Sequence, residues 1–116
     1  MSYTEGYHGT DELTARRIFE HGFNADVSDE LYLAAPYQTW LAHDHGVKNA
    51  ERTGSENYAI LTATFPETWP QSNRLGPESI RFYGDDINTV AIRSLSVYTK
   101  NGELLEGGHI EVTDEY

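Results

Sequence analysis

Two short stretches hold residues able to do chemistry together: Tyr7-His8-Gly9-Thr10, and Leu31-Tyr32-Leu33-Ala34 about two dozen residues later. The first closes a candidate strand and leads into a helix; the second is a short apolar strand. An imidazole ending one strand and a phenol ring on the next can face one cleft, an arrangement able to grip a nucleotide. Taken singly, each also has a structural reading. His8-Gly9-Thr10 can be a turn with Thr10 as helix N-cap, and Tyr32 can be a core or rim aromatic.

Other reactive-looking groups are weaker. His43-Asp44-His45 tempts a metal reading, but neighbours at i and i+2 on a helix point to different faces and cannot chelate one ion. The pair reads as a solvated helix face, or as one histidine lining the cleft. No metal is expected, and with no cysteine there is no thiolate ligand, thiol nucleophile or disulfide. Gly107-Gly108 lacks the Lys-Ser/Thr that a phosphate loop needs. Arg16-Arg17, or Arg74 with Arg81, could take a small phosphorylated ligand, or be solvated charges. Trp69, in a proline-flanked loop, is either a recognition residue or a loop aromatic tucked on the core.

The elements that must position these groups follow from periodicity. Tyr3 to His8 reads as a strand. Thr10 or Asp11 offers an N-cap, and Ala15, Ile18 and Phe19 recur at helical spacing until His21-Gly22-Phe23 stops the helix. Leu31 to Ala34 is a second strand. Pro36 opens a second helix to roughly Ala50, burying Tyr37, Trp40, Leu41 and Val47 and weakened by Gly46. Tyr58 to Phe65 is apolar on both faces and therefore central. Residues 66–77 form a proline-rich loop. Ser79 to Tyr83 and Ala91 to Thr99 are strands, and an Asn101-Gly102 turn leads to Leu104-Leu105. Ile110 to Val112 is expected as an edge strand, with a frayed end beyond it.

At 116 residues, 38% hydrophobic and 12% aromatic, the chain is expected to be one folded domain over residues 1–116. No stretch is long and apolar enough for a membrane span, and Met1 to Glu5 lacks the basic and apolar regions of a signal peptide, so the expectation is a cytoplasmic domain. Nineteen acidic against eight basic residues give a net charge of −11, with Lys48 and Lys100 the only lysines. That surface repels phosphate backbones, which disfavours broad nucleic-acid binding and leaves a protein acceptor or partner favoured. It also suits a salt-rich cytoplasm.

The order His8, Tyr32 and then a carboxylate near residue 78 resembles the ADP-ribosyltransferase superfamily in its poly(ADP-ribose)-polymerase-like branch. Tyr7-His8-Gly9-Thr10, followed by a helix ending in Gly-Phe, is similar to that branch's first motif. Leu31-Tyr32-Leu33-Ala34 is similar to the second, and Pro77-Glu78-Ser79-Ile80-Arg81-Phe82 to the third, where an acidic residue opens a strand. Small rifamycin-modifying transferases are the nearest functional analogues. The resemblance spans roughly residues 6–98. It implies an α+β fold with a mainly antiparallel split sheet and two N-terminal helices.

The resemblance further implies NAD as co-substrate, with His8, Tyr32 and Glu78 as catalytic residues. Cleaving the nicotinamide–ribose bond builds positive charge on the sugar, which a fixed carboxylate stabilises. Glu78 takes this role by position, with Glu67, Asp85 and Asp86 as competitors. By the same carry-over His8 bonds a ribose hydroxyl, Tyr32 stacks on nicotinamide, and the backbone of Gly9 bonds the carboxamide. Thr10 and Tyr37 complete the expected cofactor-binding set. The implied activity is mono-ADP-ribosylation of a protein, small molecule or nucleic-acid end, as in a toxin or effector with an antitoxin partner. Two alternatives stand beside it: an NAD-dependent RNA 2′-phosphotransferase, for which the chain is poor in basic residues, and a non-catalytic nucleotide-binding or interaction domain.

Overall fold

Alternation along the most apolar stretch decides the architecture. In the strand Asn57–Pro66, Tyr58 and Ile60 are buried on one side while Ala59, Leu61, Ala63 and Phe65 are buried on the other. A strand covered on both faces needs a layer above and a layer below. Each layer is built on one helix. The computed structural model describes residues 3–23, 30–66, 79–83, 87–88 and 90–113. Its elements run β1 (Tyr3–Asp11), α1 (Glu12–His21), β2 (Glu30–Ala34), a short 3-10 turn (Pro36–Gln38), α2 (Trp40–Thr53), β3 (Asn57–Pro66), β4 (Ser79–Tyr83), β5 (Ala91–Thr99) and β6 (Leu104–Glu106).

The α+β class and the antiparallel pairing agree with the sequence reading. The six strands are ordered β4-β2-β1-β3-β5-β6, and every pairing is antiparallel. The helices depart from the expectation of two N-terminal helices. β1 precedes α1, β2 separates α1 from α2, and the two helices cover opposite faces. Ala15 and Ile18 of α1 pack with Leu31, Leu33, Leu61, Phe65 and Phe82. Ala42 and Ala50 of α2 pack with Ala34, Tyr58, Ile60 and Tyr98. No helix among the described residues is long and apolar enough to cross a membrane.

Division of the sheet is confined to one seam. β1 runs in register with β3 from Tyr3↔Pro66 to Asp11↔Tyr58, but with β2 only at Tyr7↔Ala34. β2 in turn pairs with β4 from Glu30↔Tyr83 to Ala34↔Ser79.

Local chemistry explains the helix ends. Asp11 caps α1 by accepting from the Thr14 N–H at 3.1 Å, and the Thr10 hydroxyl donates to the same carboxylate, so Asp11 rather than Thr10 is the cap. Gly22, at φ 91°, ends the helix. Phe19 was expected on the buried face but is exposed, because Ala15 and Ile18 alone fill the contact with the sheet. Pro36 opens the 3-10 turn rather than α2 itself. Trp40, expected to be buried, lies at the start of α2 partly in solvent, its indole N–H donating to Gln38 Oε1. Gly46 is a contact, not merely a weak point: a Cβ there would stand 2.5 Å from Tyr58 Cδ2.

The expected edge strand at Ile110–Val112 does not form. Residues 107–113 instead cross back over β5 toward the start of α2 as a strap. Ser96 Oγ donates to the Gly108 carbonyl, and the Ile110 N–H donates to Tyr98 Oη at 2.7 Å. At its end the Thr39 N–H donates to Thr113 Oγ1 (3.0 Å), and the Thr113 N–H donates back to Thr39 Oγ1 (2.8 Å). Side-chain hydroxyls thus replace the ladder bonds that a strand would have supplied.

Candidate functional site

Where β1 and β2 part, a cleft of about 160 Å³ opens, bounded below by α2. Its walls include His8 and Gly9 from β1, Tyr32 from β2, and Leu41, His45 and Asn49 at one-turn intervals along α2. A cavity of about 150 Å³ takes one benzene-sized ring, so the cleft fits a single heteroaromatic ring with the rest of a ligand outside.

The two residues singled out first therefore meet at one cleft, but not face to face. Register at Tyr7↔Ala34 puts Tyr32 and Gly9 on the α2 side of the pleat, and His8 and Leu33 on the α1 side. Consistent with that, the His8 ring stands edge-on to Phe23, with centroids 5.5 Å apart. At the seam itself, His8 Nδ1 lies 3.1 Å from the main-chain oxygen of Tyr32. A carbonyl only accepts, so Nδ1 carries the proton and, in the neutral ring, Nε2 is left with its lone pair. Burial lowers the His8 pKa, the bond to Tyr32 opposes this, and the nearby His45 lowers it further. The imidazole is a neutral acceptor at pH 7, suited to an alcohol O–H. Tyr32 is 39% exposed, with its ring at the cleft.

Packing in the fold by itself requires glycine at position 9. A Cβ there would stand 2.6 Å from the Ala42 carbonyl carbon and closer still to its oxygen. The space left by the missing side chain is filled by the backbone of α2. Thr10 is buried beside Asp11 and does not line the cleft. Tyr37 lies in the 3-10 turn. Glu78, Glu67, Asp85, Asp86, Trp69 and Arg74 all lie outside the described residues. The chain enters β4 at Ser79, opposite Ala34, which is itself opposite Tyr7 at the seam.

The two histidines of α2 have separate duties. His45 lines the cleft. His43 is committed elsewhere: its Nε2–H donates to the Ile110 carbonyl at 2.9 Å, and its Nδ1 accepts from the Tyr58 hydroxyl at 2.7 Å. Burial lowers the His43 pKa, the Ile110 bond works against this, and His109 lowers it further. Among the described residues no three His, Asp or Glu side chains converge as a metal site would require. Arg16, a candidate phosphate ligand, is engaged by Glu12 and Glu106, each at 2.8 Å.

Asn49 and Leu41 are among the cleft residues that sequence reasoning missed. Their spacing of four from His45 was the available signal. Two larger concavities exist, of about 400 Å³ under the strap and about 700 Å³ beside α1 and β6. Neither contains His8 or Tyr32.

No protein-family model, curated protein or solved structure matches the chain.

Proposed function

We propose that the seam cleft receives the nicotinamide end of NAD and that the protein is an NAD-dependent mono-ADP-ribosyltransferase. The observation that carries this reading is the meeting of His8, Gly9 and Tyr32 at one ring-sized cleft where β1 and β2 part. NAD supplies an ADP-ribosyl group whose positively charged nicotinamide is a good leaving group. Tyr32 offers the aromatic surface for that ring, and neutral His8 accepts a bond from a ribose hydroxyl through Nε2. Glu78, the residue before Ser79, is the carboxylate assigned to stabilise positive charge on the ribose. In the transfer, the C1′–nicotinamide bond breaks and its electron pair leaves with the ring nitrogen. A lone pair of the acceptor forms the new bond to C1′, and the acceptor's proton passes to water.

Labelled NAD tests the reading directly. Wild type is expected to release nicotinamide, Glu78→Gln to lose about 10²–10³ in rate, and Tyr32→Ala to bind NAD more weakly. Equal release by all three proteins discards the proposal. If Glu67→Gln, Asp85→Asn or Asp86→Asn abolishes release while Glu78→Gln does not, the carboxylate is reassigned. The separation of the His8 and Tyr32 rings across the pleat favours a second reading, a nucleotide-binding domain without turnover. Saturable NAD binding with no nicotinamide released over hours selects it.

A further inference from the structure

The groove beneath the strap has a chemistry of its own. It is an open groove of about 400 Å³ between the α2 face of the sheet, the 3-10 turn and residues 108–113, within the 300–1,000 Å³ typical of small-molecule sites. Across its floor run three hydroxyls in one register row: Tyr7 on β1, Thr62 on β3 and Ser94 on β5. Adjacent strands lie about 5 Å apart, so the short Thr62 and Ser94 side chains stand side by side, with the longer Tyr7 side chain next to them. Tyr7 Oη donates to Glu5 Oε2 at 2.8 Å, which leaves its lone pairs available. Among the described residues the Thr62 and Ser94 hydroxyls have no hydrogen-bond partner, whereas Thr39, Ser96 and Thr113 are all engaged in holding the strap.

Charge narrows the occupant. No lysine or arginine lines the groove and its one basic side chain is the His109 imidazole, so an anion finds no ammonium or guanidinium countercharge there. Its one carboxylate, Glu111, is exposed at the rim and offers a cation little. We propose that this groove is a second ligand site, taking an uncharged, hydroxyl-rich molecule of sugar or nucleoside size on the row Tyr7–Thr62–Ser94, with the strap as its outer wall. Tyr7 also lines the seam cleft, so the two sites share a wall. On the reading given under Proposed function, the groove is the acceptor subsite.

Two measurements separate these claims. Amide spectra of ¹⁵N-labelled protein are followed with methyl α-D-glucopyranoside, with uridine and with glucose 6-phosphate. At least one neutral probe is expected to shift Thr62, Ser94, Gly108 and Ile110 saturably, while the phosphate binds more weakly. The double substitution T62V/S94A, with unchanged melting, is expected to weaken that binding about tenfold, two hydroxyl bonds being lost. If it does not fold, Ser94→Ala alone, at a surface position, is expected to cost a few-fold. Failure of both neutral probes to move these amides, equal binding by the variants, or tighter binding of the phosphate overturns the proposal. With labelled NAD, T62V/S94A should still release nicotinamide while transfer to the bound probe falls. Loss of both together overturns the acceptor assignment. Absence of release in wild type removes the reading under Proposed function and leaves the spectra to decide the groove.

Discussion

Replacing Gly9 by alanine tests whether the cleft is set by a backbone-to-backbone approach. The added Cβ would lie 2.6 Å from the carbonyl carbon of Ala42 and 3.0 Å from the nitrogen of Gly46, both in the backbone of α2. Neither atom can swing aside as a side chain would. The Ala42 carbonyl oxygen stands closer still, so restoring ordinary contact, at about 3.5 Å or more, requires α2 to retreat by about 1.5 Å or more. Such a gap forfeits roughly half or more of each dispersion well along the contact. That contact carries Ala42 and Ala50 against Tyr58 and Ile60. The expected cost is about 3 kcal/mol, at the upper end for overpacking. With about 2.1 cal/mol/K of unfolding entropy per residue, a chain of 116 residues loses about 12 °C in Tm. Thermal melts by circular dichroism measure this. Because Leu41, Ala42 and His45 move with α2, binding of the proposed ligand at the cleft should weaken as well. A variant melting within about 2 °C of wild type, with unchanged ligand binding, refutes the reasoning.

Two further predictions concern protons and the strap. His8 and His43 are both held below the ordinary imidazole pKa of 6.5 in the fold, so their neutral forms stabilise it fully above pH 6.5, and that contribution falls as pH drops through 6.5 toward their lower folded values. Each adds at most about 1.4 kcal/mol per pH unit; denaturant curves from pH 7.5 to 5 should be steeper for wild type than for His43→Gln, and parallel curves contradict the assignment. Thr113→Val leaves the buried Thr39 N–H without its partner, at a cost of about 1–3 kcal/mol; hydrogen exchange at residues 107–113 should accelerate while α1 is unchanged, and unaltered exchange in the strap counts against the clasp.

Much of the framework was legible in the sequence because local signals and tertiary demand agreed. Ser79–Tyr83 and Ala91–Thr99 were bounded as read, and Asp11 with Gly22 framed α1 as capping chemistry predicts. Failures came where partners are distant. Thr39 and Thr113, separated by 74 residues, form a clasp that no local pattern encodes. Phe19 has the right spacing but faces solvent, since periodicity gives a face and not its width. At Gly9 the helix backbone that takes the place of a side chain comes from Ala42 and Gly46, far along the chain. At the cleft, the types and order of His8 and Tyr32 were readable, whereas the single register pair that decides how they meet was not.

That single pair has a mechanical consequence. β2 and β4 are zipped to each other over five rungs but held to β1 at Tyr7↔Ala34 alone. With so few main-chain bonds to β1, the two-stranded wing is held mainly by its apolar face, where Leu31, Leu33 and Phe82 are buried with Ile18, Leu61 and Phe65. Opening the seam would therefore cost the burial of those three side chains as well as the bond between the His8 imidazole and the Tyr32 carbonyl, so the seam is sealed by packing rather than by a ladder.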